Sequence, residues 1–194
     1  LREIDTKIKG LFDLYDRYGG DSYHGEPLSQ LSHALQTTQF AIKRVQDRDL
    51  ILASFLHDVG FLLKDMNLGT HPMYGNLKHE VIGADYLRGI GFSDRICKLV
   101  KRHVDGKRYL CYKDSNYYQL LSHASKLTLI EQGDVMQTDE AMEFERDPDF
   151  QSILDMRRWD DMSKDRNKHI DHSLYKMMRD MCREHLIYET QRGK

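Results

Sequence analysis

The chain has 194 residues, 40% hydrophobic and 31% charged, the balance of one folded globular domain spanning 1–194. A net charge of −2 without a basic tail argues against nucleic acid as a partner, and no apolar run reaches the length of a membrane span. Cys97, Cys111 and Cys182 form no CxxC pair, which suits a reducing cytosol, so a cytoplasmic protein is expected.

Only three prolines interrupt the chain, and Leu, Met, Lys, Arg and Glu recur throughout. That composition predicts an all-α fold. In chain order the expected helices are 2–17, 27–46, 48–58, 78–89, 94–104, 117–132, 138–146, 149–163 and 170–190. Pro27 suits the first turn of the second helix, where its missing N–H has no partner to lose. The stretch from Gly60 to Leu77 contains Gly69, Pro72 and Gly75 and reads as a long loop of the kind that often serves function. Gly89 and Gly91 stop the helix that His79 opens, and Ser93 can cap the next one. Asp147-Pro148 breaks the chain before the helix carrying Trp159.

Chemistry concentrates on an ordered set of histidines and aspartates. Leu50, Ala53, Ser54 and His57 follow the i, i+3, i+4, i+7 spacing of one helix face, as do Ile96, Leu99, Val100 and His103. Either histidine alone reads as a satisfied core residue. His33 shares a face with Gln30 and Thr37. His79 opens a helix whose Gly83 and Ala84 permit close packing. Asp160 lies on a face with Ile153 and Arg157. The series His33, His57-Asp58, His79, His103, Asp160 supplies imidazole and carboxylate donors suited to iron, zinc or manganese. Asp58 is the natural bridge between two ions, with one oxygen for each. His24, His71, His123, His169, His172 and His185 have no such ordered context and read as surface or core residues.

The series resembles the H…HD…D signature of the HD superfamily, expanded by two histidines for a second metal, and implies an HD-domain helical bundle with a dinuclear site in its core. Further stretches, SYHGEPLSQLSHALQ, HEVIGADYLRGIGFSDR, RHVDGKRYL, LSHASKLTL and RRWDDMSK, are similar to the mixed-valent diiron oxygenases of this fold that cleave carbon–phosphorus bonds. Myo-inositol oxygenase is a more distant relative. The resemblance implies two iron ions, Fe(II)/Fe(III), with His33, His57, Asp58 and Asp160 on one and Asp58, His79 and His103 on the other. Asp160 is preferred over Asp161 because it directly follows Trp159. Tyr23 would cap the oxygen-binding iron until substrate arrives, and Glu26 would face the substrate's amino end. Lys107, Ser125 and Thr128 would hold the phosphonate, since a cation and two hydroxyls suit a tetrahedral oxyanion. Phe61 departs from the pattern. The best-known member has a histidine there, and an aromatic residue in its place either packs or helps enclose the methyl groups of a quaternary ammonium.

The activity so implied is O2-dependent cleavage of the C–P bond of 1-hydroxy-2-aminoethylphosphonate or its N-trimethylated analogue. The products would be phosphate and glycine or glycine betaine. The rival is an HD phosphohydrolase that uses the same ligands to activate water against a nucleotide or phosphoester.

Overall fold

The computed structural model describes residues 1–23, 26, 28–64, 70, 71, 75, 76, 78–168 and 172–193. Its helices are α1 (Arg2–Tyr18), α2 (Gln30–Arg44), α3 (Arg48–Leu56), α4 (His79–Ile90), α5 (Asp94–Lys113), α6 (Ser115–Leu120), α7 (His123–Glu131), α8 (Thr138–Phe144), α9 (Phe150–Met162) and α10 (His172–Arg192). A 3-10 turn, Val59–Leu62, follows α3, and two-residue strands β1 (Thr70–His71) and β2 (Gly75–Asn76) pair antiparallel. Pro27 lies outside the described residues, as does half of the expected long loop. Among the described residues no helix is long and apolar enough to cross a membrane. All three cysteines are free and buried.

Side-chain caps set several starts. Ser29 accepts from the Ser32 N–H, Asp47 from Asp49 and Leu50, Ser93 from Ile96, and Ser122 from Ser125, each satisfying a donor the helix cannot. Gly91 ends α4 at φ 106°, the left-handed conformation glycine adopts without a Cβ clash. Two expectations need correction. The fifth helix does not stop near residue 104 but runs to Lys113, because Gly106 packs against α9, where a Cβ would come within 3.1 Å of Arg157 and 3.3 Å of Ile153. Residues 117–132 are not one helix, since the chain breaks at Leu121 and restarts at the Ser122 cap.

Helix α3 sits at the centre, with every residue from Leu50 to Leu56 buried. It packs on α2 and α5, α5 packs on α4 and α9, and α1 pairs with α10. Phe12, Tyr15, Phe55 and Tyr175 cluster where α1, α3 and α10 meet, with the Tyr15 and Phe55 rings 4.8 Å apart. This arrangement directs the end of α3, the starts of α2 and α4, the middle of α5 and the end of α9 towards one interior point.

Candidate metal centre

His33, His57, Asp58, His79, His103 and Asp160 all reach that point, and all are buried. His57 and Asp58 lie just past the end of α3, where the 3-10 turn redirects the chain. His79 is carried by the first turn of α4 and approaches because Gly60 has no side chain. A Cβ on Gly60 would press on the His79 carbonyl, 2.7 Å from its carbon. Gly83 allows the same closeness one turn further on, where a Cβ would stand 3.0 Å from the Gly60 nitrogen.

The imidazoles converge in two pairs, with His33 Nε2 and His57 Nε2 3.1 Å apart and His79 Nε2 and His103 Nε2 also 3.1 Å apart. His33 Nδ1 meets the Ser163 carbonyl at 2.9 Å, His57 Nδ1 that of Ser54 at 2.9 Å, and His103 Nδ1 that of Val100 at 2.7 Å. A carbonyl can only accept, so each Nδ1 carries a hydrogen, and it is Nε2, the nitrogen left to bind a cation, that each ring turns inward. Lone pairs held this close repel unless a positive charge lies between them. Asp58 stands between the pairs. Its Oδ2 is 3.2 Å from His57 and 3.5 Å from His33, and its Oδ1 is 3.2 Å from His79 and 3.6 Å from His103. Two triads, His33–His57–Asp58 and Asp58–His79–His103, have the spacing to hold one ion each. Asp160 Oδ1 adds a further oxygen 3.3 Å from His33.

Buried Asp58 Oδ2 and Asp160 Oδ1 have no hydrogen-bond partner, as expected of atoms that face a cation. The charges agree. Burial opposes ionisation of Asp58, but His57 and His79 hold its carboxyl well below the usual range. Burial likewise opposes ionisation of Asp160, which Arg157 and His33 overcome. Burial alone would lower His57, yet Asp58 and Asp160 raise it to about 9. His103 falls to about 3 through burial and the neighbouring His79 and His57. The cluster attracts positive charge and cannot spread it over all its rings as protons. Bound metal cations meet both conditions, and the residues fit them.

Comparison with known proteins agrees. Residues 31–142 match the HD domain family. The chain is 34% identical over 159 residues to hydroxymethylphosphonate dioxygenase of Gimesia maris, covering 81% of this chain and 78% of that protein. It is 33% identical over 151 residues to [1-hydroxy-2-(trimethylamino)ethyl]phosphonate dioxygenase (glycine-betaine-forming) of Leisingera caerulea, covering 78% and 76%.

The chain belongs to the HD-domain oxygenase family.

A further relative of this HD oxygenase, an uncharacterised protein of Acanthamoeba polyphaga mimivirus, is 39% identical over 166 residues, 84% of this chain and 75% of the relative.

Beside the cluster the HD oxygenase has a small cavity of about 50 Å³, lined by Tyr23, Glu26, Phe61, Lys107, Ser125 and Thr128 together with Asp58, His79 and His103. The Tyr23 ring stacks on His33 with centroids 3.9 Å apart and planes at 18°, and Phe61 stacks on His79 at 3.9 Å and 14°. Burial and the charges of Asp58 and Asp160 push the Tyr23 phenol well above its ordinary pKa, so it stays a donor and hydrogen-bonds Asp58. Lys107 donates to Thr128 Oγ1 at 3.0 Å and to the Ser125 carbonyl at 3.3 Å, leaving one of its three hydrogens for a ligand. Burial, reinforced by the Arg157 charge, lowers its ammonium to about 7.

Two charged residues in the same cavity, Arg157 and Lys164, lie outside the set expected from sequence. Arg157 donates to Asp160 Oδ2 at 2.6 Å and binds Asp161, which Tyr117 also contacts. The i, i+3, i+4 spacing of Arg157, Asp160 and Asp161 on one helix was the available signal. Lys164, the last residue of RRWDDMSK, reaches Glu26 and carried no comparable signal. Asp161 faces Arg157, whereas Asp160 joins the histidines. Among the other histidines, His123 is exposed and His185 accepts from the Ser93 N–H while stacking on Phe92. His24, His169 and the side chains of His71 and His172 lie outside the described residues.

Proposed function

We propose that the chain is an iron- and O2-dependent oxygenase that cleaves the C–P bond of 1-hydroxy-2-aminoethylphosphonate or its N-trimethylated analogue. The observation that carries this reading is Lys107, braced by Thr128 and Ser125 in a cavity that His79, His103, Asp58 and Asp160 also line. A cavity of about 50 Å³ has room for a few waters or one compact tetrahedral group, at about 10–15 Å³ for each water-sized probe. The names of the two phosphonate-directed relatives support the same substrate class.

His33, His57, Asp58 and Asp160 would hold one iron and Asp58, His79 and His103 the other. An iron pair bound there supplies dioxygen activation and an anchor for the substrate hydroxyl. Lys107 would bind the phosphonate by a charge-assisted hydrogen bond, with Thr128 and Ser125 fixing its aim. Glu26 would face the amino end. Tyr23, donating to Asp58 and lying over His33, would cover the cluster until substrate displaces it. The net reaction takes R–CH(OH)–PO3H2 and O2 to R–COOH and H3PO4. The carbon is oxidised from the alcohol to the acid level while dioxygen is reduced, and each product gains one oxygen.

The test is phosphate release by iron-loaded protein, with and without oxygen. Phosphate with glycine or glycine betaine, formed only with oxygen, supports the oxygenase. Anaerobic hydrolysis of a nucleotide or phosphoester, with neither phosphonate consumed, would put the phosphohydrolase in its place.

A further inference from the structure

Glu26 lies in the loop between α1 and α2, and Lys164 follows α9. Lys164 Nζ is 3.4 Å from Glu26 Oε1, and each side chain is only 16% exposed. The same ammonium donates to Ser122 Oγ at 3.1 Å and Ser125 Oγ at 3.2 Å. An ammonium has three hydrogens; two are taken by these hydroxyls, and the charge faces Glu26 as an ion pair. Glu26 Oε1 is buried and accepts no hydrogen bond, so the Lys164 charge is what balances it.

The wider charge pattern points the same way. Arg157 is matched by Asp160 and Asp161 and Lys164 by Glu26. Among the described residues Lys107 has no carboxylate against it. The cavity therefore presents an unmatched cation to the phosphonate but no unmatched carboxylate to an amine. A buried carboxylate reserved for a substrate ammonium would otherwise stand without a partner, at a substantial desolvation penalty.

We propose that Lys164 is the internal counter-ion of Glu26 and a specificity-determining residue, so that the enzyme accepts 1-hydroxyalkylphosphonates that carry no amine. This rests on the oxygenase reading above. A substrate with a cationic tail must take Glu26 from Lys164, whereas one with a neutral tail leaves the pair intact. Removing the lysine charge leaves Glu26 unbalanced and makes a substrate cation valuable.

The test is competition between hydroxymethylphosphonate and 1-hydroxy-2-aminoethylphosphonate on the iron-loaded full chain under oxygen, with formate counted against glycine. The wild type is expected to consume both, with kcat/KM values within about tenfold of each other. Lys164→Met should shift the ratio towards the amine by about tenfold or more, through KM rather than kcat, and Lys164→Arg should restore it. A wild type that rejects hydroxymethylphosphonate, or a Lys164→Met ratio unchanged from wild type, would overturn the proposal. Should no phosphonate release phosphate, the oxygenase reading fails on its own. Calorimetric binding of the same two compounds to zinc-loaded wild type and Lys164→Met then decides the counter-ion role, and equal affinity ratios in the two proteins would reject it.

Discussion

Phe61 lies flat against His79, ring centroids 3.9 Å apart and planes 14° from parallel. The other three histidines of the cluster are aimed by a backbone carbonyl at Nδ1. His79 Nδ1 has no hydrogen-bond partner, and the nearest carboxylate oxygen, on Glu80, is 3.5 Å away. The stack thus helps set the direction of the His79 lone pair. Phe61→Leu keeps apolar volume but removes the flat face. It should weaken the second of two bound ions by about three- to tenfold, the equivalent of about 0.5–1.5 kcal/mol for an aromatic pair. Manganese titration of chelator-treated protein measures this, and unchanged affinity would show that His79 is aimed by its helix alone.

Asp58 presents one oxygen to each histidine pair. Asp58→Ala should therefore lose both ions, whereas His103→Ala should lose mainly the ion beside His79. Metal analysis of the purified variants decides between them. Two ions per chain in Asp58→Ala would refute the bridging role.

Tyr23 both covers His33 and bonds Asp58. Tyr23→Phe keeps the ring and deletes the bond, so iron-loaded protein left in air without substrate should be oxidised faster. Decay of its electron paramagnetic resonance signal is the measurement. Matched decay in variant and wild type would reduce Tyr23 to a packing residue.

The position of Lys107 makes anion binding pH-dependent. Its ammonium, depressed to about 7 by burial and the Arg157 charge, is half neutral near that pH, and a bound anion would raise it again. Binding then takes up a proton, and affinity falls as pH rises through about 7, approaching tenfold per pH unit. Sulfate is the suitable probe because it does not itself titrate in this range. In chelator-treated protein, bound cations do not compete for it. Wild-type affinity should fall between pH 6 and 9, and Lys107→Met should bind weakly with a flat profile. A flat wild-type profile would place the anion elsewhere.

The closeness of Gly60 to the His79 carbonyl is backbone against backbone, which no side-chain rotation relieves. Gly60→Ala should cost about 3 kcal/mol, at the upper end for overpacking, and Gly83→Ala about 1 kcal/mol. Urea midpoints give both values. A Gly60→Ala midpoint equal to wild type would mean that the turn after Asp58 can move freely.

How much of this the sequence disclosed depends on how local the determinant was. His57 and His103 stood at the ends of apolar stripes, and periodicity alone turned them inward. His33 and His79 gained meaning from their order with the others. The continuation of α5 past Gly106 was hidden because its cause is the neighbouring α9, and the break at Leu121 because it falls within a helix-favouring run. Lys164 was hidden for a related reason. Its partner Glu26 is far away in the chain, and neither belongs to a periodic pattern. The stacks of Tyr23 on His33 and Phe61 on His79 depend on loop paths that residue spacing does not encode.

Arg157 has a consequence for coordination number. By donating to Asp160 Oδ2, its guanidinium leaves Oδ1 as the oxygen turned towards His33, and would favour binding of an ion by that one oxygen. With His33, His57 and one oxygen of Asp58, the protein would then offer that ion four donors. A metal that prefers six would keep two positions for molecules from outside, as many as the hydroxyl and one phosphonate oxygen of the proposed substrate would fill. Lysine at 157 would bring a point charge in place of a planar fork, and Asp160 could then turn both oxygens to the ion and close one of those positions.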